Sequence, residues 1–132
     1  MWRLLSGQPA IRLVAPLDHA AMIGEMRRAD LILSDSGGVQ EEAPALGIPL
    51  IVLRDRTERP ECIDCGSALL VGTGTDAVTG AVSRLLADPG AMKAMATPRF
   101  PFGDGQAAPR IAALALAWLD QRRAEGAQVR TA

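Results

Sequence analysis

Four short runs of consecutive apolar residues set the frame for this chain: "IRLVA" at 11–15, "LILS" at 31–34, "LIVLR" at 50–54 and "ALLVG" at 68–72. None alternates apolar with polar residues, so none suits a strand with one wet face. Each suits a strand covered on both faces, the condition of a parallel sheet with helices on either side. The segments between them can be helical. Residues 18–29 place Met22, Met26 and Ala29 on one stripe behind Asp18, an expected N-cap. Thr57 is expected to cap a helix over 57–65, with Pro60 in its first turn and Gly66 as its stop. Residues 76–87, behind Thr75, align Val78, Val82 and Leu85 until "DPG" ends them, and 107–123 align Ile111, Leu114 and Trp118. The small, polar stretch 124–132 is expected to be a disordered tail. Alternating strands and helices predict an α/β domain, a Rossmann-like parallel sheet of about four strands flanked by helices. With 132 residues, 48% of them hydrophobic, the chain has material for one such domain.

Charge narrows function by exclusion. Fourteen basic residues stand against 15 acidic ones, so nothing draws the chain in bulk to nucleic acid or an anionic membrane. No segment approaches the roughly 20 apolar residues of a membrane span. The opening "MWRLLSGQPA" has too short an apolar run for a signal peptide. Two cysteines make no disulfide framework, and the reducing cytoplasm is the expected compartment. Cys62 and Cys65 form a C-x-x-C, but no second pair and no suitably spaced histidine accompanies it. One turn apart on the expected helix, they read as small buried residues.

In doubly wound sheets ligands gather outside the carboxyl ends of the strands. "SDSGG", "RDRTERPE" and "GTGTD" follow the second, third and fourth apolar runs and should line one rim. Gly37 and Gly38 let backbone approach a ligand closely. A helix starting there offers free N–H groups and a positive dipole end to phosphate, and Ser36 adds a hydroxyl. Glu42, one turn after Gly38, can accept from both hydroxyls of a ribose. Pro44 limits or bends that helix. Arg59 can fork onto a diphosphate. Two bland readings stand beside these. Ser-Gly-Gly also makes an ordinary cap and turn, and "RDRTERPE" also makes a solvated loop of weak salt bridges.

The joined stretch "LILSDSGGVQEEAPALGIPLIVLRDRTERPE", with "GSALLVGT" and "PFGDGQA" after it, closely resembles the non-hydrolysing UDP-N-acetylglucosamine 2-epimerases from about residue 11 to 116. The resemblance implies a GT-B-type fold, two Rossmann-like halves with a UDP-sugar between them, of which this chain carries part of the carboxyl-terminal, UDP-binding half. It implies that Ser36, Gly37 and Gly38 contact the diphosphate, Glu42 the ribose and Arg59 the phosphates, with Leu17 and Met22 near the uracil. The family often has an aromatic where Met22 stands. The implied reaction eliminates UDP to give a 2-acetamidoglucal and adds it back with the opposite configuration at C2. No cofactor and no metal is implied.

In the family the acid–base carboxylates and an essential histidine lie upstream of the matching segment. The single histidine here, His19, opens a helix and matches no catalytic position, so the catalytic residues are unknown and the chain alone is expected to be inactive. "FGDG" at 102–105 reads chemically as a glycine turn. The expected partners are a UDP-sugar and a missing amino-terminal region or complementing chain, with homo-oligomers in the full-length family. Two rivals remain: a nucleotide-sugar-binding subunit of a split GT-B glycosyltransferase, and a non-catalytic UDP-sugar-binding fragment. The looser Gly-Gly and Glu elements of glycosyltransferases favour the epimerase for so long a joined motif. By the doubly wound order, "IRLVA" and "LILS" lack the neighbours that normally separate them. "IRLVA" is therefore expected to move across and cover the open edge of "LILS".

Overall fold

The computed structural model describes residues 2–129, with side chains from 4 to 123. They divide into two compact units, Met1–Arg99 and Phe100–Ala132. The first unit runs α1 (Trp2–Leu5), α2 (His19–Met26), β1 (Ile32–Ser34), α3 (Gly37–Leu46), β2 (Leu50–Val52), α4 (Pro60–Asp64), β3 (Ala68–Leu70), α5 (Thr75–Ala87) and α6 (Pro89–Met95). Its strands form one parallel sheet in the order β1-β2-β3. Ile32, Leu33 and Ser34 pair with Leu50, Ile51 and Val52, which pair in turn with Ala68, Leu69 and Leu70. Each parallel step needs a crossover, and α3 and α4 supply the two.

The consecutive apolar pattern of β2 has the expected consequence. Leu50, Ile51 and Val52 are all fully buried. Leu50 and Val52 join Met26, Val39, Ala43, Cys62 and Ala68 in a core under α2, α3 and α4. Ile51 points the other way, into Ala81, Leu85 and Met95 of α5 and α6. Burying each of these strand side chains is worth about 1.5–3 kcal/mol, which is what fixes helices to both faces. The flanking strands are less well covered: Leu33 and Leu69, in register with Ile51, are 43% and 39% exposed.

The sheet has three strands rather than four. Residues 11–15 form no strand, and Ile11 and Val14 are 42% and 47% exposed. Pro9 and Pro16 remove backbone donors on either side of the run, and the α2 N-cap at Asp18 follows at once. The outer edge of β1 carries no strand among the described residues. Several boundaries also differ from the sequence pattern. Asp18 does cap α2, accepting from the Ala21 N–H at 2.8 Å. The cap of α4 is Arg59 rather than Thr57, and that of α5 is Gly74 rather than Thr75. "DPG" ends α5 and also begins α6, because Asp88 turns its carboxylate onto the Ala91 N–H. Helix α1 has no signal in the apolar periodicity.

Pro44 lies inside α3, which ends at Gly47, three residues further on. Gly47 is left-handed at φ 67°, and a Cβ there would sit 2.8 Å from both the Ala96 carbonyl oxygen and Pro98. In the second unit α7 spans Ala107–Val129, past the 123 at which its apolar pattern ends. Residues 130–132 of the expected tail lie outside the described residues, as do the side chains from 124 on. "FGDG" is the expected turn, with Gly103 and Gly105 at positive φ. Asp104 accepts from the Gln106 N–H and holds Arg110 through both oxygens at 2.9 and 2.7 Å, which keeps its carboxyl below the usual range.

Two glycine substitutions separate strain from steric overlap. At Gly66 (φ 77°) nothing lies within 4 Å of an added Cβ, so Gly66→Ala should cost about 1–2 kcal/mol in urea unfolding. Gly47→Ala adds the collision with Ala96 and Pro98 to the same backbone cost and should lose clearly more.

Candidate functional site

Because the strands are parallel and in register, Ser34, Val52 and Leu70 end side by side and their following loops share one rim. The second and third loops touch there. The Gly72 N–H donates to the Arg54 carbonyl at 3.0 Å, and Asp55 Oδ1 lies 2.9 Å from where a Gly72 Cβ would be.

The first loop carries the glycine pair. Ser36 takes the extended N-cap geometry, and Gly37 and Gly38 open α3. Ser36 makes no capping hydrogen bond, and no acidic side chain stands in the first turn. The N–H groups at this helix end are thus left without the usual serine oxygen. Glu58 Oε1 approaches to 3.6 Å of a hypothetical Cβ on Gly37, so any side chain there would narrow the cradle.

The second loop brings cations and acids to the same helix. Arg59 donates through Nε to Glu41 of α3 and reaches the Glu58 carbonyl through Nη1 at 3.4 Å. Arg54 donates to Glu58 at 2.8 Å. The Glu58 carboxyl is held below its ordinary range by its own backbone N–H and by Arg54. The Arg59 guanidinium is raised by its bond to Glu41. Glu41 occupies the Nε edge of the guanidinium, which helps fix its plane.

At the next position of α3, Glu42 Oε1 lies 2.9 Å from Nε2 of His19, the first residue of α2. That contact brings the start of α2 to the rim. Leu17 precedes it by two residues at 40% exposure, and Met22 follows at 37%. The apolar hollow nearest these groups, about 380 Å³, is lined by Asp55, Arg56, Thr57, Pro60 and Leu70 among others. Ser36, Gly37, Gly38, Glu42 and Arg59 do not line it. The cluster is an open, polar surface in the described residues.

The family model for UDP-N-acetylglucosamine 2-epimerase matches residues 1–116. The chain belongs to that family. It is 50% identical to the UDP-N-acetylglucosamine 2-epimerase of Yersinia pestis over 109 residues, which are 83% of this chain and 29% of that protein. Among solved structures it matches the Neisseria meningitidis UDP-GlcNAc 2-epimerase bound to UDP-GlcNAc, with TM-score 0.83 and 39% identity, over 88% of this chain and 31% of the other. It also matches the S. aureus MnaA–UDP co-structure, with TM-score 0.84 and 35% identity, over 90% and 33%. The chain thus spans about three-tenths of the length of these relatives. Its parallel α/β layer is the corresponding piece of their GT-B-type fold.

Three contributors escaped the sequence pattern. Gln40 is fully buried, with Nε2 donating to the Ser36 carbonyl at 3.2 Å and Oε1 accepting from the Thr57 hydroxyl. Thr57 in turn accepts from the Arg59 N–H at 3.0 Å. A polar residue on the core stripe with Val39, Ala43 and Pro44 was the available signal. His19, which looked like a simple helix-entry residue, touches Glu42. Glu41 looked like one of two equivalent acids, but helix geometry sends it to Arg59 and its neighbour to His19.

The cysteines divide in their environments. Cys62 is fully buried, its thiol donating to the Arg59 carbonyl at 3.0 Å, and burial pushes its pKa up. Cys65 is only half-buried, its thiol donating to the Cys62 carbonyl and the Ser67 hydroxyl, each at 3.4 Å. No group of three or more metal-ligating side chains occurs among the described residues. A thiol reagent at neutral pH should label Cys65 in the folded chain well before Cys62. Mass spectrometry of peptides after timed labelling reads the order, and equal rates would place Cys62 at the surface.

Proposed function

We propose that the chain is the UDP-holding part of a UDP-N-acetylglucosamine 2-epimerase, which interconverts UDP-GlcNAc and UDP-ManNAc by eliminating UDP and adding it back. The observation that carries this reading is the uncapped start of α3 at Gly37–Gly38, beside a guanidinium held edge-on by Glu41. A diphosphate placed there would meet N–H donors, the Ser36 hydroxyl and the remaining nitrogens of Arg59. Those groups stabilise most strongly the charge that develops as UDP departs. Retaining UDP near the glycal keeps its re-addition effectively intramolecular. With one oxygen of Glu42 engaged by His19, the other is available to ribose hydroxyls. Leu17 and Met22 offer apolar surface for the uracil beside it.

The acid–base step at C2 is assigned to groups outside this chain, supplied by a further region or a complementing subunit, in an assembly of identical chains in the cytoplasm. Support comes from the lone histidine, which is committed to Glu42, and from the 29% span of the Yersinia pestis relative.

Two measurements test the reading. Calorimetric titration should show UDP binding, weakened roughly tenfold or more in Arg59→Ala, since a charge-assisted contact contributes about 1.5–3 kcal/mol. Equal affinities would mean that Arg59 faces away from the ligand. A coupled epimerase assay on the pure 132-residue chain should stay at the blank, and turnover would place a complete acid–base set within it.

A further inference from the structure

Gln40 and Ser67 are the buried polar side chains among the described residues, and Gln40 has no exposed surface. Its site on α3, between Val39 and Ala43, would accept a methionine or leucine as far as packing is concerned. What it does instead is connect. The Ser36 carbonyl can only accept, so the Gln40 amide must turn its NH2 towards Ser36 and its oxygen towards Thr57. The Thr57 proton is then committed to Gln40, and its lone pair receives the Arg59 N–H. Four groups are thereby ordered in one direction, from the α3 start to the α4 cap.

The two loops joined in this way have little else in common. The last backbone bond between their strands is Leu53 N–H to Ser34 carbonyl, at 3.0 Å. Beyond it the Ser36–Gly38 turn and the Thr57–Arg59 turn are tied through side chains: the amide chain through Gln40 and the half-exposed Arg59–Glu41 pair. The amide chain is the better ruler. Its central amide is fully buried, its geometry is directional, and both of its ends are backbone atoms.

We propose that Gln40 and Thr57 are positioning residues that set the spacing between the α3 N–H groups and Arg59 to fit a diphosphate. The inference rests on the UDP reading of the site and refines it. Neither side chain touches the ligand. Their effect falls on the diphosphate alone, because uridine would be held by Glu42 and the start of α2.

The test compares UDP with uridine by NMR titration of the 15N-labelled chain, for wild type, Thr57→Val, Thr57→Ser and Gln40→Glu. Thr57→Val keeps shape and removes the hydroxyl; Gln40→Glu keeps size and removes the donor to Ser36. Both should weaken UDP by about fivefold or more, the loss of one hydrogen bond's worth of placement, and leave uridine within about twofold. Thr57→Ser should bind both as wild type does. A parallel loss of UDP and uridine, or no loss of either, in whichever of the two damaging variants folds, overturns the proposal. Wild type that binds UDP no better than uridine instead removes the diphosphate reading itself, and this inference with it.

Discussion

The whole first unit depends on one strand of three residues. Leu50, Ile51 and Val52 have no exposed surface, and alternate side chains bind α2, α3 and α4 to one face and α5 and α6 to the other. A strand placed so has no tolerance for polar substitution on either side. Its two neighbours are edges, each half-covered, and the sheet owes its register to the centre. The rim follows from that register. Parallel strands that end level put their following loops together without any contact having to search for its partner.

At the rim, several charged side chains meet partners before any ligand arrives. Arg54 is answered by Glu58 and Arg59 by Glu41, and Glu42 shares a hydrogen bond with His19. Such exposed pairs contribute little to stability, but they hold side chains in one place. Glu58 illustrates the sign of the pH response. Its folded pKa is depressed by its own N–H and by Arg54, so its small contribution is present above the ordinary carboxylate range and fades as pH falls through the depressed value. The start of α3 has neither a serine cap nor an acid in its first turn. A helix start whose N–H groups lack a side-chain cap offers donors to an added anion.

The C-x-x-C shows how position decides what a motif means. The helix that holds Cys62 is fixed by Pro60 and by packing under β2 and β3, so the thiol becomes a core atom against Ala68 and Val52. Its raised pKa disfavours the thiolate that redox or metal chemistry would need.

Local pattern determined much of this protein by itself. Apolar runs without alternation specify doubly covered strands, and residues 31–34, 50–54 and 68–72 contain β1, β2 and β3. Asp18 and Gly66 mark helix ends because capping and left-handed φ are properties of single residues. The long joined motif around Ser36, Gly37, Gly38, Glu42 and Arg59 carried the family. Tertiary structure decided the rest. Whether "IRLVA" becomes a strand depends on a partner edge, which no run of side chains encodes, and here Pro9 and Pro16 with the nearby α2 cap leave it irregular. Two adjacent glutamates look alike in sequence, yet 100° of helix turn sends Glu41 to Arg59 and Glu42 to His19. Gln40 and Thr57 stand 17 positions apart, and only the parallel pairing of β1 with β2 brings an amide and a hydroxyl close enough to bond.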